Sequence, residues 1–204
     1  MIFIYGDSHA KKSFLNLNLP FHDYHQQSIT MHRIGRDNII INFNPQEQDD
    51  NSIICLSYGE VDCRCHVQRQ INLGRNEDEV IQELVVNYLN TIVNNVIKYK
   101  KVILVAVIPT TKQSDYENMH GPIDHDFPFV GSDEDRVRFT TKMNMLLEQI
   151  CNENSDFIFF DPYPYYKRED GTLKFELSDT YGHILQNAFF LEKFEELYTS
   201  IIHS

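Results

Sequence analysis

Met1-Ile2-Phe3-Ile4-Tyr5-Gly6-Asp7-Ser8-His9-Ala10 opens the chain, and its reading decides the fold. The apolar run at residues 2–5 matches a short strand covered on both faces, as in a parallel sheet. Gly6 permits a tight turn after it. A serine on the turn after a buried strand can point its hydroxyl into a cleft. Its own N–H, at the start of the next helix, can face a developing oxyanion. A plain helix N-cap by Asp7 or Ser8 explains the same residues, so these ten residues alone leave both readings open.

Further strand signals lie at residues 38–43, 52–57, 102–108 and 157–160, all short and rich in β-branched or aromatic residues. Helix signals fall between them. Asn76 with Glu79 has capping-box character. It precedes Val80, Ile81, Leu84, Val85, Tyr88, Leu89, Ile92, Val93 and Val96 at helical spacing. Ser132 before Asp133, Glu134 and Asp135 marks a second helix start, with an apolar face of Phe139, Met143, Leu146, Leu147 and Ile150. A third helix is expected from near His183 through Leu185, Phe189, Phe194, Leu197 and Ile201. Strands alternating with helices predict a parallel sheet with helices on both faces, an α/β class domain. No repeat, low-complexity tract or linker interrupts it, so one domain over residues 1–204 is expected. Ligands of such sheets sit outside the carboxyl ends of the strands. That selects the loops at 6–10, 58–66, 109–131 and 178–183.

Composition narrows the partners. The 204 residues carry a formal charge of −12, with 42% apolar and 24% charged residues. Such a surface repels a phosphate backbone and an anionic membrane, so neither nucleic acid nor membrane is expected as a partner. Lys98, Lys100 and Lys101 cluster, and they read best as cations at a helix C-terminus. The N-terminus lacks the basic start and length of a signal peptide. No apolar run approaches the ~20 residues of a membrane span. The expected location is therefore the cytoplasm, with Cys55, Cys63, Cys65 and Cys151 as thiols. Cys55, inside a strand pattern, reads as a small core residue.

Near the other end stands Ser178-Asp179-Thr180-Tyr181-Gly182-His183. A neutral His183 can accept a serine proton while Asp179 holds its other ring nitrogen. A surface loop with Asp179 capping the last helix is the simpler reading. Taken together, Gly-Asp-Ser-His after the first strand and an Asp shortly before a C-terminal His resemble the first and last blocks of the SGNH (GDSL-like) hydrolases. The resemblance spans nearly the whole chain, because the strand and helix order between the blocks agrees. It implies a three-layer α/β/α fold with a five-stranded parallel, flavodoxin-like sheet. It also implies Ser8 as nucleophile, His183 as base and Asp179 as its orienting carboxylate, with no cofactor.

The middle blocks depart from the family pattern. Its third block is Gly-x-Asn-Asp, whose Asn donates to the oxyanion. Here Tyr58-Gly59-Glu60-Val61-Asp62-Cys63-Arg64 places Val61 at that position, and valine cannot donate. A subgroup linked to surface polysaccharide assembly carries a similar Gly-Glu-(Ile/Val)-Asp-x-Arg block. The stretch from Glu134-Asp135-Arg136 to Asn144 also resembles it. By resemblance, the Gly35 N–H joins the Ser8 N–H as an oxyanion donor. Arg64 is the candidate replacement donor, and Glu60 and Asp62 are further substrate-side candidates. The alternative is that Arg64 pairs with Glu60 or Asp62 and braces the loop.

Cys63-Arg64-Cys65-His66 suggests a metal site only weakly. Zinc takes about four ligands, usually as two spaced pairs. No second pair is present, and His22, His25 and His32 would have to join through tertiary structure, so no metal is expected. Phe127, Phe129, Tyr163, Tyr165 and Tyr166 follow the fourth and fifth strands, where rings either stack on a sugar or anchor loops. The resemblance implies a serine esterase that removes an O-acyl group, such as acetyl, from a carbohydrate-linked substrate, with a small-molecule or glycan ester as the expected partner. The alternatives are an acyltransferase using the same serine, and a non-catalytic glycan-binding or assembly protein. Oligomeric state is not legible in the sequence.

Overall fold

The computed structural model describes residues 1–37, 49–95, 98–123 and 127–203. Five strands form one parallel sheet: β1 (Ile2–Gly6), β2 (Phe21–His25), β3 (Ile53–Ser57), β4 (Lys101–Val105) and β5 (Phe157–Phe160). Their order is β2-β1-β3-β4-β5. Every pairing is parallel. The described helices are α1 (Ser8–Ser13), α2 (Met31–Asp37), α3 (Val67–Asn72), α4 (Glu77–Asn95), α5 (Gln113–His120), α6 (Asp133–Glu153) and α7 (Ala188–Ile202).

Strand alternation builds two cores, one on each face of the sheet. Phe3, Tyr5, Ile54, Leu56, Val102 and Leu104 face α2, α4 and α6, whose Ile34, Val85 and Phe139 are fully buried against them. Ile2, Ile4, Ile53, Cys55, Ile103 and Val105 face the other way, toward Phe14, Phe190 and Phe194. Three layers result. The continuous apolar runs of β1, β3 and β4 are thus explained, since both faces of each strand are covered.

One strand differs from the sequence expectation. β2 comes from Phe-His-Asp-Tyr-His at Phe21–His25. It is an edge strand, so only one side needs a ladder partner, and its polar residues stay partly exposed. Phe3 stacks on His22 at 5.2 Å and Tyr5 on Tyr24 at 5.1 Å. The expected strand at 38–43 lies outside the described residues, as does Val96.

The helix starts follow their caps. Asn76 accepts the N–H groups of Asp78 and Glu79 at 2.9 and 3.2 Å. Ser132 and Asp135 close a reciprocal capping box on α6. The last helix starts at Ala188, not near His183. Residues 178–184 instead form a closed loop, pinned by a bridge between Ser178 and Ile184. The lysine cluster is also placed differently: Lys100 reaches the Ile201 carbonyl at the end of α7 at 2.8 Å, and Lys101 bonds the Ser155 carbonyl. Among the described residues, no helix is long and apolar enough to cross a membrane.

Candidate active site

Ser8 is the first residue of α1, directly beyond the end of β1. Asp7 caps the helix, its carboxylate accepting the His9 and Ala10 N–H groups at 2.9 and 3.4 Å. The cap leaves the Ser8 N–H unused, so it remains a possible oxyanion donor. Gly6 is needed for close approach: a Cβ there would stand 2.2 Å from the Ala10 Cβ and 2.8 Å from the Ser57 carbonyl.

The loop after β5 brings His183 onto Ser8. Its Nε2 lies 3.0 Å from Ser8 Oγ. Its Nδ1 lies 2.9 Å from Asp179 Oδ2. Asp179 also accepts the backbone N–H groups of Tyr181 and His183, each at 3.0 Å. A four-residue spacing works because the loop folds back on Asp179, whose own N–H reaches the His183 carbonyl at 2.8 Å. Gly182 sits at φ 84°, where an L side chain is strained, and a Cβ would strike Thr111. With Nδ1–H donating to the carboxylate, Nε2 presents its lone pair to the Ser8 hydroxyl. Burial, and then the neighbouring His9 charge, lower the His183 pKa. Burial raises the Asp179 pKa, but its bonds to His183 outweigh that and leave it lowered.

His9 carried no role in the sequence reading. It is 6% exposed, and its ring meets that of His183 at 4.6 Å between centroids. Its Nε2 bonds Glu60 Oε2 at 3.1 Å. His9 Nδ1 and the Tyr58 hydroxyl have no protein partner and border a cavity of about 10 Å³, room for one water. No local sequence signal joins His9 to an acid 51 positions away, so only the packed loops reveal the pair.

The four expected oxyanion or substrate residues all have partners within the protein. Glu60, 4% exposed, is the partner of His9 and lies 3.5 Å from Arg64 Nη2. Burial would raise its pKa, but Arg64 and His9 hold it at about 2. Arg64 also lies over the Phe129 ring at 5.8 Å, so its guanidinium braces the loop on Glu60. This contact matches the bracing alternative that the sequence left open for Arg64. Asp62 caps α2, accepting the Met31 and His32 N–H groups at 2.8 and 3.1 Å. Gly35 lies within α2, where a Cβ would stand 2.8 Å from Asn87 Cβ and 3.0 Å from the Tyr88 nitrogen. Its N–H belongs to the helical ladder, which corrects the expected oxyanion role. The glycine serves the close contact of α2 with α4.

Nearby residues hold the site's frame. Asn144 clamps Val107, accepting its N–H at 2.7 Å and donating to its carbonyl at 2.9 Å. Arg136, fully buried, pairs with Asp133, bonds the Gly131 carbonyl at 2.7 Å and lies over Phe129. Phe129 is thus an anchor. Tyr163 and Tyr166 are buried, whereas Tyr165 is exposed and stacks on Phe189. Tyr181 is exposed too, stacked on His120 at 4.2 Å with its ring 6.4 Å from that of His183. Cys65 donates to the Val61 carbonyl, and Cys63 is buried beside Met143. Among the described residues, no three His, Cys, Asp or Glu side chains are grouped to hold a metal.

No family model and no curated protein matches the chain. Solved structures do. One from Streptococcus pneumonia, provisionally described as a platelet activating factor, aligns over 98% of this chain and 83% of its own, at TM-score 0.65 and 13% identity. A GDSL-like lipase from Bacteroides thetaiotaomicron aligns over 99% and 87%, at TM-score 0.54 and 11% identity. A catalytic mutant of an acetylxylan esterase from Geobacillus stearothermophilus aligns over 94% and 92%, at TM-score 0.50 and 13% identity. The fold is that of the GDSL-type hydrolases. At these identities the likeness speaks for the fold, and the chemistry rests on the side chains described above.

Proposed function

We propose that the chain is a serine ester hydrolase acting on O-acyl groups, with Ser8, His183 and Asp179 as its triad. The observation that carries this is the unbroken chain of contacts from Ser8 Oγ through the His183 ring to the Asp179 carboxylate. Ser8 Oγ attacks the acyl carbonyl while its proton passes to His183 Nε2. Asp179 stabilises the imidazolium. The tetrahedral intermediate collapses and breaks the ester bond, and the departing alkoxide takes the Nε2 proton. Water then repeats the sequence on the acyl-serine and frees the acid. The Ser8 N–H faces the developing oxyanion at the helix start.

A carbohydrate-borne acyl group, acetyl above all, is the substrate class we favour. Tyr181 supports it, because an exposed ring beside the base offers a flat apolar face to a sugar. The acetylxylan esterase with the same fold points the same way. The test is hydrolysis of an activated acetate ester and of an acetylated oligosaccharide by wild type and Ser8→Ala. Replacing the nucleophile should lower turnover by at least about a thousandfold. Equal rates in both proteins would sink the assignment.

A further inference from the structure

Beside the nucleophile, Asp7, His9 and Glu60 are buried together, and Arg64 is only 13% exposed. His9 Nε2 meets Glu60 Oε2 at 3.1 Å, and Glu60 meets Arg64 Nη2 at 3.5 Å. Two acids thus face two bases, as buried charges require. The pairing is incomplete at two atoms. With Nε2–H given to Glu60, His9 Nδ1 has no hydrogen-bond partner among the described residues. Neither has the hydroxyl of Tyr58, a residue 4% exposed. Native proteins rarely leave such buried atoms alone, because each forfeits its bonds to water.

His9 and Tyr58 line one small cavity with Asp7, Ser57 and Glu60. Its volume of about 10 Å³ is close to that of one water probe. Asp7 takes both of its backbone N–H bonds on Oδ1, which leaves Oδ2 as an acceptor. A ring nitrogen, a phenol hydroxyl and a carboxylate oxygen are as many polar partners as a buried water commonly has.

We infer that this cavity binds one water, which accepts from His9 Nδ1–H and the Tyr58 hydroxyl, donates to Asp7, and so biases His9 toward its protonated form beside the base. A neutral imidazole carries hydrogen on only one nitrogen. Glu60 takes the one on Nε2, so Nδ1 donates only when the ring is charged. Asp7 draws a water hydrogen and turns the lone pairs toward the two donors. Burial opposes a charge on His9, but Glu60 and Asp7 outweigh it, against Arg64, and leave the His9 pKa raised. The His9 ring lies 4.6 Å from that of His183, whose other side faces Asp179. The water site stands on these buried atoms alone, whereas its effect on catalysis rests on the ester reading above.

A high-resolution crystal structure of the full chain tests the site directly. Density for one water within about 3.2 Å of both His9 Nδ1 and Tyr58 Oη is expected. Tyr58→Phe tests it in solution, because the sign of the effect differs. With water bound, the substitution removes a hydrogen bond and lowers the urea midpoint. With a dry cavity it removes an unpartnered buried hydroxyl and leaves the midpoint unchanged or raised. The same variant holds the water less firmly, so the acid limb of activated-acetate hydrolysis should move to higher pH by about half a unit. Empty density, or a midpoint that does not fall, overturns the water. Bound water with an unmoved limb overturns its influence on His183. Bound water in a protein that hydrolyses no ester leaves the site standing and sinks the triad assignment instead.

Discussion

At the residue scale, the site contains two histidines with opposite charge preferences. Burial disfavours the charged form of His9, but Glu60, through its charge and its hydrogen bond, outweighs that and raises the His9 pKa. His9 is therefore biased toward its protonated form and His183 toward its neutral one. That charge, 4.6 Å from the His183 ring, opposes protonation of the base, in the same direction as burial does. A general base must be neutral, so a lowered pKa keeps His183 competent into mild acid. His9 is thus a positioning and tuning residue. His9→Gln removes its positive charge and should raise the His183 pKa, moving the acid limb of the kcat/KM profile to higher pH. A profile of activated-acetate hydrolysis between about pH 4 and 8 checks it. A limb that stays in place would show that His9 only fills space.

At the element scale, the third loop works through helix ends. Asp62 is fully buried and satisfies two N–H groups at the start of α2, which otherwise have no intrahelical partner. Burial nonetheless exceeds the effect of these bonds and lifts its pKa to about 7. A carboxyl with a raised pKa binds more protons in the folded state, so its contribution to stability falls as pH rises from about 4 to about 7. The Met31 and His32 N–H groups go to different oxygens of Asp62, so asparagine keeps one acceptor and turns an NH2 toward the other donor. Asp62→Asn should therefore flatten this part of the pH dependence at a cost of about 1 kcal/mol, below that of losing both bonds. Asp62→Ala leaves buried donors unpaired and should cost about 2 kcal/mol or more. Urea denaturation of both variants at two pH values measures the difference, and equal stabilities would contradict the capping role.

At the scale of the whole molecule, α7 closes the layer behind the triad without contributing to it. Phe190 and Phe194 are fully buried, and each meets Phe14 edge-on at 4.8 Å. Phe160 of β5 joins both at 5.3 Å. Such edge-to-face contacts add to the area buried. Phe194→Ala should lower unfolding free energy by about 3–5 kcal/mol, the usual cost of emptying a packed aromatic site. Turnover per folded molecule should be retained, because no triad residue touches the ring. Chemical denaturation alongside activity at low temperature separates the two, and a catalytic loss without destabilisation would be the contrary result.

The periodic and local features were legible in the chain alone. Continuous apolar runs marked β1, β3, β4 and β5, because strands covered on both faces need no polar residues. Caps such as Ser132 and Asn76 act on N–H groups two or three residues away, so they need only local sequence. The serine and histidine blocks were also legible, through their resemblance to a known pattern. Edge strand β2 was not, because an edge partly open to water tolerates His22, Asp23 and His25 and carries no periodic apolar signal. Only tertiary structure could decide which partners the charged residues of the third loop take. Glu60 meets His9 across 51 positions, Asp62 meets the α2 backbone across 30 and 31, and Gly35 fits against Asn87. The sequence fixes which groups are charged or small. Burial and distance, set by the packed layers, decide whether each one reacts, braces or caps.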